Sequence, residues 1–278
     1  MTQDLSIEIL RKMAKNVYFE VRDLIGTKEG AKRLQKGAGG DISMKIDILA
    51  ENTIKKYLND HHINILLISE EIGQKYIGDD EKIENNTDKL IVDPIDGSNN
   101  SSRGIPFYSV SIAYAKGERF DSIEKAVVLD LNTGNLFWAE RGRGAYYENK
   151  KISVSENNIS DRLIFEIDFY MWNFRRKLKK YSSILKKLYR IRVMGSAALS
   201  LCLLAKGSID GYMNFKKGSR IVDYAAAFLI LKEAGGEIFS INGEEINFNL
   251  DMELKVPLVA SNAKISKILK EELKKINN

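Results

Sequence analysis

Two carboxylates and a hydroxyl are crowded into Asp93-Pro94-Ile95-Asp96-Gly97-Ser98, directly after the apolar run Leu90-Ile91-Val92. Acids this close repel one another and are costly to strip of water. A divalent cation removes that cost. Hard oxygen ligands of this kind suit Mg2+, which also accepts backbone carbonyls, water and phosphate oxygens. The same residues are common turn formers, so the segment taken alone reads equally as a plain turn. Other acids bear on the choice. Glu70-Glu71 closes a second apolar run, Ile65-Leu66-Leu67-Ile68. Asp47 lies at the start of a helical pattern, and Asp223 precedes Tyr224-Ala225-Ala226-Ala227, ahead of Gly235-Gly236.

Bringing these acids together requires several elements. Residues 63–69 and 89–92 read as buried strands, short apolar runs bounded by turn residues and followed by acids. Proline cannot donate to a ladder, so the second strand is expected to end at Pro94. Ile46, Leu49, Ala50, Ile54, Tyr57 and Leu58 predict a helix with Asp47 in its first turn, where an acid also complements the helix dipole. Upstream, Ile9, Met13, Val17, Val21 and Leu24 predict an amphipathic helix over 5–25, stopped by Gly26. Residues 27–40 follow as a mobile, glycine-rich loop. Residues 73–88 are highly polar and read as a surface excursion. Beyond Pro106 the pattern is that of antiparallel strands, with a hairpin turn at Asn132-Thr133-Gly134. Arg141-Gly142-Arg143-Gly144 could cradle a phosphate, but no helix follows, and a plain turn is the better reading.

The composition turns polar near 153–161, a soft boundary that divides the chain into 1–155 and 156–278 within one catalytic unit. Past it, a strand over 163–169 precedes an amphipathic helix through Phe174, Leu178, Tyr181, Ile184, Leu185 and Leu188, with a basic outer face. A helix after Gly195-Ser196 can be capped by Ser196, and free amides at such an end attract anions. A strand over 210–215, a helix opened by Asp223, strands over 237–241 and 258–261 and a last helix over 265–276 complete the pattern. Mixed strands and helices in both halves indicate sheets layered with helices.

With 278 residues and 44% hydrophobic content, the chain can bury one large core or two that share an interface. Its net charge of +5 mildly suits anionic substrates. The 38 acids are interspersed with 43 basic residues, and no zinc-finger spacing or RNP-like motif occurs, so no nucleic-acid partner is expected. The 2 histidines, His61-His62, fall in a polar connection, which argues against histidine-centred chemistry. The single cysteine, Cys202, sits in an apolar pattern and reads as a packed thiol. No apolar run is long enough to span a bilayer and the N-terminus lacks a signal pattern, so no membrane partner and a cytoplasmic location are expected.

Taken in order, Asp47, Glu70-Glu71, Asp93-Pro94-Ile95-Asp96-Gly97-Ser98 and Asp223-Tyr224-Ala225-Ala226 resemble the inositol monophosphatase family of magnesium-dependent, lithium-sensitive phosphatases. Its superfamily includes fructose-1,6-bisphosphatases and 3′(2′),5′-bisphosphate nucleotidases. The resemblance covers nearly the whole chain. Gly104-Ile105-Pro106-Phe107 and Arg220-Ile221-Val222-Asp223 resemble the archaeal branch, whose members often hydrolyse both inositol monophosphate and fructose 1,6-bisphosphate. The resemblance implies an α+β fold, a layered αβαβα sandwich, a homodimer and two or three Mg2+ ions per site. It implies in-line attack of water on a phosphate monoester of a small molecule. Glu70, Asp93 and the Ile95 carbonyl would hold the first metal, and Asp93, Asp96 and Asp223 the second. Glu71 would tune water near the metals. Ser98, held by Asp47, would orient the attacking water, with Glu70 alongside. The resemblance assigns residues 27–40, Lys36 among them, to a flap that closes over the metals.

For the substrate, the resemblance points to Asp96, the amides of Gly97 and Ser98, and the loop carrying Gly195 and Ser196. Asn214 stands where animal members place an acid that contacts inositol hydroxyls. An amide there no longer repels a second phosphate, and Arg192, Lys216, Lys217 or Arg220 could receive one; the alternative is exposed, solvated charge. Ser98 replaces a common Thr, Val222 a common Trp, and Ser101-Ser102 a more apolar pair. A nucleotide or NADP(H) phosphatase of the same superfamily is the alternative, and it would need an aromatic base-stacking surface. A catalytically silent relative should have lost some of the acids, and all are present.

Overall fold

The computed structural model describes residues 4–40, 42–78, 88–216, 220–251 and 257–277. Eight strands form one sheet: β3 (Ile65–Ser69), β4 (Gly73–Ile77), β5 (Lys89–Asp96), β6 (Ser109–Ala115), β7 (Ile123–Asp130), β8 (Leu136–Glu140), β9 (Gly144–Tyr147) and β10 (Lys150–Ile152), in the order β10-β9-β8-β7-β6-β5-β3-β4. Five form a second: β11 (Ile164–Asp168), β12 (Arg190–Arg192), β13 (Gly211–Asn214), β14 (Gly236–Ser240) and β15 (Leu258–Asn262), in the order β12-β11-β13-β15-β14. A small hairpin, β1 (Arg33–Lys36) and β2 (Ile42–Met44), stands apart from both.

Period-two alternation decides what each face of the large sheet meets. Ile65, Leu67, Leu90 and Val92 pack on α1 (Ile7–Val21) and α2 (Lys45–Asp60). Leu66, Ile68 and Ile91 point the other way, onto α6 (Ala197–Ala205) and α7 (Ala225–Glu233). Both faces are covered, so these strands are apolar throughout. The far side of α6 and α7 meets the second sheet through Tyr212, Leu258 and Ala260. That sheet's outer face packs Phe165, Ile167 and Met213 on α8 (Ala263–Asn277) and on Ile184 of α5 (Ser182–Leu185). The order helix, sheet, helix, sheet, helix is the expected αβαβα sandwich. The change of sheet falls between Ile152 and Ile164. Cys202 is buried in α6.

Several local expectations are corrected. β5 does not stop at Pro94 but runs on to Asp96. Its register with β6 shifts between Asp93 and Asp96, so Pro94 falls where no ladder donor is required. Residues 73–77 form β4, antiparallel to β3, rather than a surface excursion; 79–87 lie outside the described residues. The first helix is shorter than 5–25: Ser6 caps it by accepting the Ile9 amide, and a 3-10 turn, Arg22–Leu24, follows it. The loop over 27–40 contains β1. The helix expected from Phe174 to Leu188 is split into α4 (Phe174–Lys180) and α5 at Tyr181, whose ring is buried against Phe215 with centroids 4.5 Å apart. Arg141–Gly144 is a plain turn: the Gly142 and Gly144 amides donate to the Glu233 carboxylate.

Candidate active site

β3 and β5 run parallel with Ser69 opposite Val92, so both strands release their acids at one edge of the sheet. Glu70 follows β3, and Asp93 lies at the shift in β5. Asp223 ends a 3-10 turn, Ile221–Asp223, just before α7. Oxygens of Glu70, Asp93 and Asp223 lie within 4.8 Å of one another. Burial is the largest cause of their raised pKa values, and repulsion by neighbouring carboxylates adds to it at Glu70 and Asp93. Glu70 is pushed up to about 8, while Asp93 and Asp223 also stand above the usual carboxylate range.

One cation partly balances this charge. Arg220 Nη2 lies 2.6 Å from Glu70 Oε1 and its Nε 3.6 Å from Asp223 Oδ1. Its backbone amide donates to Asp223 Oδ2 at 2.8 Å. The β1–β2 hairpin lies over this pair. The Ala38 amide donates to the Glu71 carbonyl (3.0 Å) and the Gly39 amide to the Glu70 carbonyl (2.8 Å). A Cβ at Gly39 would stand 2.2 Å from Arg220 Nη1, so glycine leaves the guanidinium its place and any side chain there would have to displace it. Ser43, at the end of the hairpin, donates its hydroxyl to Glu71, whose pKa burial raises to about 7.

Asp96 faces a different neighbour. Its carboxylate accepts the Ser196 hydroxyl (2.5 Å), the Ala198 amide (2.7 Å) and the Ala197 amide (3.2 Å), and so closes the first turn of α6. Burial still raises its pKa to about 7. Asp47, in the first turn of α2, accepts the Met44 amide at Oδ2 (2.8 Å), while its buried Oδ1 has no hydrogen-bond partner. Burial raises it to about 6, against that amide and the nearby Ser98 hydroxyl. Ser98 donates to the Ile95 carbonyl at 2.9 Å rather than to Asp47, so the expected Asp47–Ser98 bond is not made in this conformation.

A cleft of about 450 Å³ collects these groups. Asp47, Glu70, Glu71, Asp93, Ile95, Asp96, Gly97, Ser98, Gly195, Arg220 and Asp223 line it, as does Lys216. Ser196 is buried behind Asp96. Like Ser196, two further expected substrate contacts do not line the cleft. Asn214 is buried: its amide donates to the Tyr224 hydroxyl and its carbonyl oxygen accepts the Lys216 amide at 2.7 Å, so it is spent within the core. Arg192 is exposed on the edge strand β12 and does not line the cleft. Lys217 lies outside the described residues. The exposed His61 and His62 do not line the cleft either.

The cleft also takes Arg33, Ser43 and Asp168, which sequence reasoning missed. Asp168 carried a usable signal, because it closes the apolar strand β11 as Glu70 closes β3; its carboxylate lies 2.6 Å from Lys216 Nζ. Arg33 and Ser43 carried none. The donor set fits hard divalent cations: buried carboxylates too close to ionise together, a backbone carbonyl and an unpartnered carboxylate oxygen on Asp47.

The inositol monophosphatase family pattern matches residues 3–277. A fructose-1,6-bisphosphatase/inositol-1-monophosphatase of Methanothermobacter thermautotrophicus is 35% identical over 90% of this chain and 89% of its own length. A bifunctional NADP phosphatase/NAD kinase of Methanococcus maripaludis is 34% identical over 95% of this chain, which spans only 48% of that relative. A solved inositol monophosphatase–fructose 1,6-bisphosphatase superposes with a TM-score of 0.82 at 27% identity, covering 96% of this chain and 98% of that one. The inositol monophosphatase of Thermotoga maritima superposes with a TM-score of 0.77 at 25% identity over 97% of each chain.

Proposed function

This chain belongs to the inositol monophosphatase family, and on that premise we propose that it is a Mg2+-dependent phosphatase of myo-inositol 1-phosphate and fructose 1,6-bisphosphate. The observation that carries the reading is the group of three carboxylates within 4.8 Å, Asp93 and Asp223 buried and Glu70 half-buried, held at the junction of two parallel strands and α7. Glu70, Asp93, Asp223 and the Ile95 carbonyl would hold the cations, with Asp96 as a further ligand. When bound, two or three Mg2+ ions supply the positive charge that polarises the phosphoryl group and favours ionisation of the attacking water.

The protein's own groups do the rest. Rotation of the Ser98 hydroxyl from the Ile95 carbonyl to Asp47 Oδ1 frees that carbonyl and turns the Ser98 oxygen toward the water. Asp47 Oδ1, which has no partner, then accepts the proton passed through Ser98. Glu71, held by Ser43, keeps the neighbouring water oriented. The Gly97 and Ser98 amides and the loop at Gly195 would bind the phosphate ester, and Arg220 and Lys216 would receive a second phosphate. Phosphate release from inositol 1-phosphate and fructose 1,6-bisphosphate, each with and without EDTA, tests this. EDTA-sensitive release from both supports it, and no release from either overturns it.

A second reading, a phosphatase of 3′(2′),5′-bisphosphate nucleotides or NADP(H), is favoured by one observation. The exposed Tyr170 ring lies 5.6 Å from Nζ of the cleft-lining Lys216, with Trp172 beyond it, which offers a base an aromatic face near the phosphate site. NADP+ and 3′-phosphoadenosine 5′-phosphate belong in the same panel. Family resemblance further supports a homodimer acting in the cytoplasm. Among the described residues no helix is long and apolar enough to cross a membrane.

A further inference from the structure

Between Asp168 and Asp210 the chain carries ten lysines and arginines and no acid. The remainder holds 33 cations against 38 acids, so the net positive charge resides entirely in this stretch. An ordinary solvated surface interleaves both signs. Here nine of the ten cations fall between Arg175 and Arg192, on α4, α5, β12 and their connections. Apart from Lys177, none of the nine has an acidic partner among the described residues.

These elements share one face. α4 and the β12 edge flank an apolar cavity of about 240 Å³, walled by Phe174, Lys177 and Leu178 on one side and Ile191 and Val193 on the other. Flat rings stand outward among the cations: Trp172 is 77% exposed, Tyr189 44% and Tyr170 40%. Tyr170 and Trp172 lie within 21° of parallel, centroids 6.5 Å apart. Trp172 shares a hollow with Arg175 and Arg176. The guanidiniums of Arg190 and Arg162 lie 4.0 and 5.2 Å from the Tyr189 centroid.

We propose that this face binds single-stranded nucleic acid, with phosphates on the lysines and arginines and bases on the exposed rings. Interleaved cations and aromatic faces are what a flexible, stacked polyanion requires. The interspersed charge of the chain as a whole pointed away from such a partner, and the segregation of cations along 175–192, gathered by the fold beside exposed rings, reverses that. A lipid surface would instead need a continuous outward apolar stripe. Here Phe174 and Leu178 of α4 line the cavity. The proposal does not depend on the phosphatase reading, and its test is made without divalent cations.

The experiment is fluorescence anisotropy of a labelled oligouridylate, about 20 nucleotides long, titrated with the full chain in EDTA. Saturable binding that weakens steeply between about 50 and 200 mM salt is expected, with a log–log slope of about −0.7 for each phosphate contacted. Arg176→Ser/Arg190→Ser, which removes two phosphate contacts, should flatten the slope by about 1.4. Trp172→Ala should weaken binding about tenfold at unchanged slope, because stacking carries no counterion release. Melting temperatures equal to that of the parent chain confirm that these variants fold. Four results would overturn the proposal: no saturable binding; equal displacement by polyglutamate of matched charge, which means charge alone; displacement by millimolar fructose 1,6-bisphosphate, which means the cleft; or tighter sedimentation with phosphatidylglycerol vesicles than with RNA.

Discussion

At the scale of single residues, the acidic cluster opposes the fold that holds it. Glu70, Asp93 and Asp223 repel one another in a buried place, so neutralising one should help folding while it ends chemistry. Asp93→Asn is expected to raise the melting temperature in EDTA and to lower turnover in Mg2+ by more than about a hundredfold, since loss of a ligand forfeits several kcal/mol of charge stabilisation. A lower melting temperature would show that Asp93 is structural. Arg220 should behave oppositely. Arg220→Met removes the counter-ion of Glu70 and Asp223 and should cost about 3 kcal/mol in EDTA. In Mg2+ the loss should shrink, because cations supply the missing charge. Thermal melts of both proteins with and without Mg2+ check this, and equal losses in the two conditions count against it.

Glu166 provides a pH signature away from the cations. It is buried behind the cleft on β11, where Oε1 accepts the Met194 (3.2 Å) and Gly195 (3.4 Å) amides while Oε2 has no partner. Burial raises its pKa from 4.5 to about 7. The folded protein therefore holds this proton more tightly than the unfolded chain. The stability so gained is full below pH 4.5 and is lost as pH rises through about 7. Glu166→Gln, neutral throughout, should gain on the parent over that window, by up to about 3 kcal/mol at pH 8. Urea denaturation across the range reads this directly, and a pH-independent difference would refute it.

At the scale of elements, the β1–β2 hairpin is held over the acids mainly by two backbone bonds to the Glu70-Glu71 turn and by the space Gly39 leaves for Arg220. Gly39→Ala should lift the hairpin, with faster amide exchange at positions 38 and 39 and little change in global stability. Unaltered exchange would mean that the guanidinium moves aside instead. Strand-by-strand behaviour was largely legible in the sequence, because alternation and short apolar runs state which residues are buried. Pro94 and the break at Tyr181 were not. A register shift depends on the neighbouring strand, and a helix is interrupted by what its side chains must reach, here Phe215 beneath Tyr181.

At the scale of the whole molecule, α6 and α7 form a middle layer that belongs to both sheets. Ile68 and Ile91 from one sheet and Tyr212 and Ala260 from the other meet in the same core. The halves 1–155 and 156–278 should therefore not fold separately. Leu201→Ala, in that layer, should cost about 2–5 kcal/mol and still give one calorimetric transition. Two resolved transitions would show independent halves.

The sequence by itself determined which acids gather in the cleft, the strands that end on them, the layering of helix and sheet, and the family. Each is written locally, in periodicity and in the residue types at strand exits. Only the tertiary structure decided that Arg220 lies among the acids, that Asp168 joins the cleft, that Asn214 turns into the core, and that Arg192 stands on an outer edge. These depend on strand order and on the packing of elements far apart in sequence, and one residue's type does not encode which neighbour the fold will bring to it.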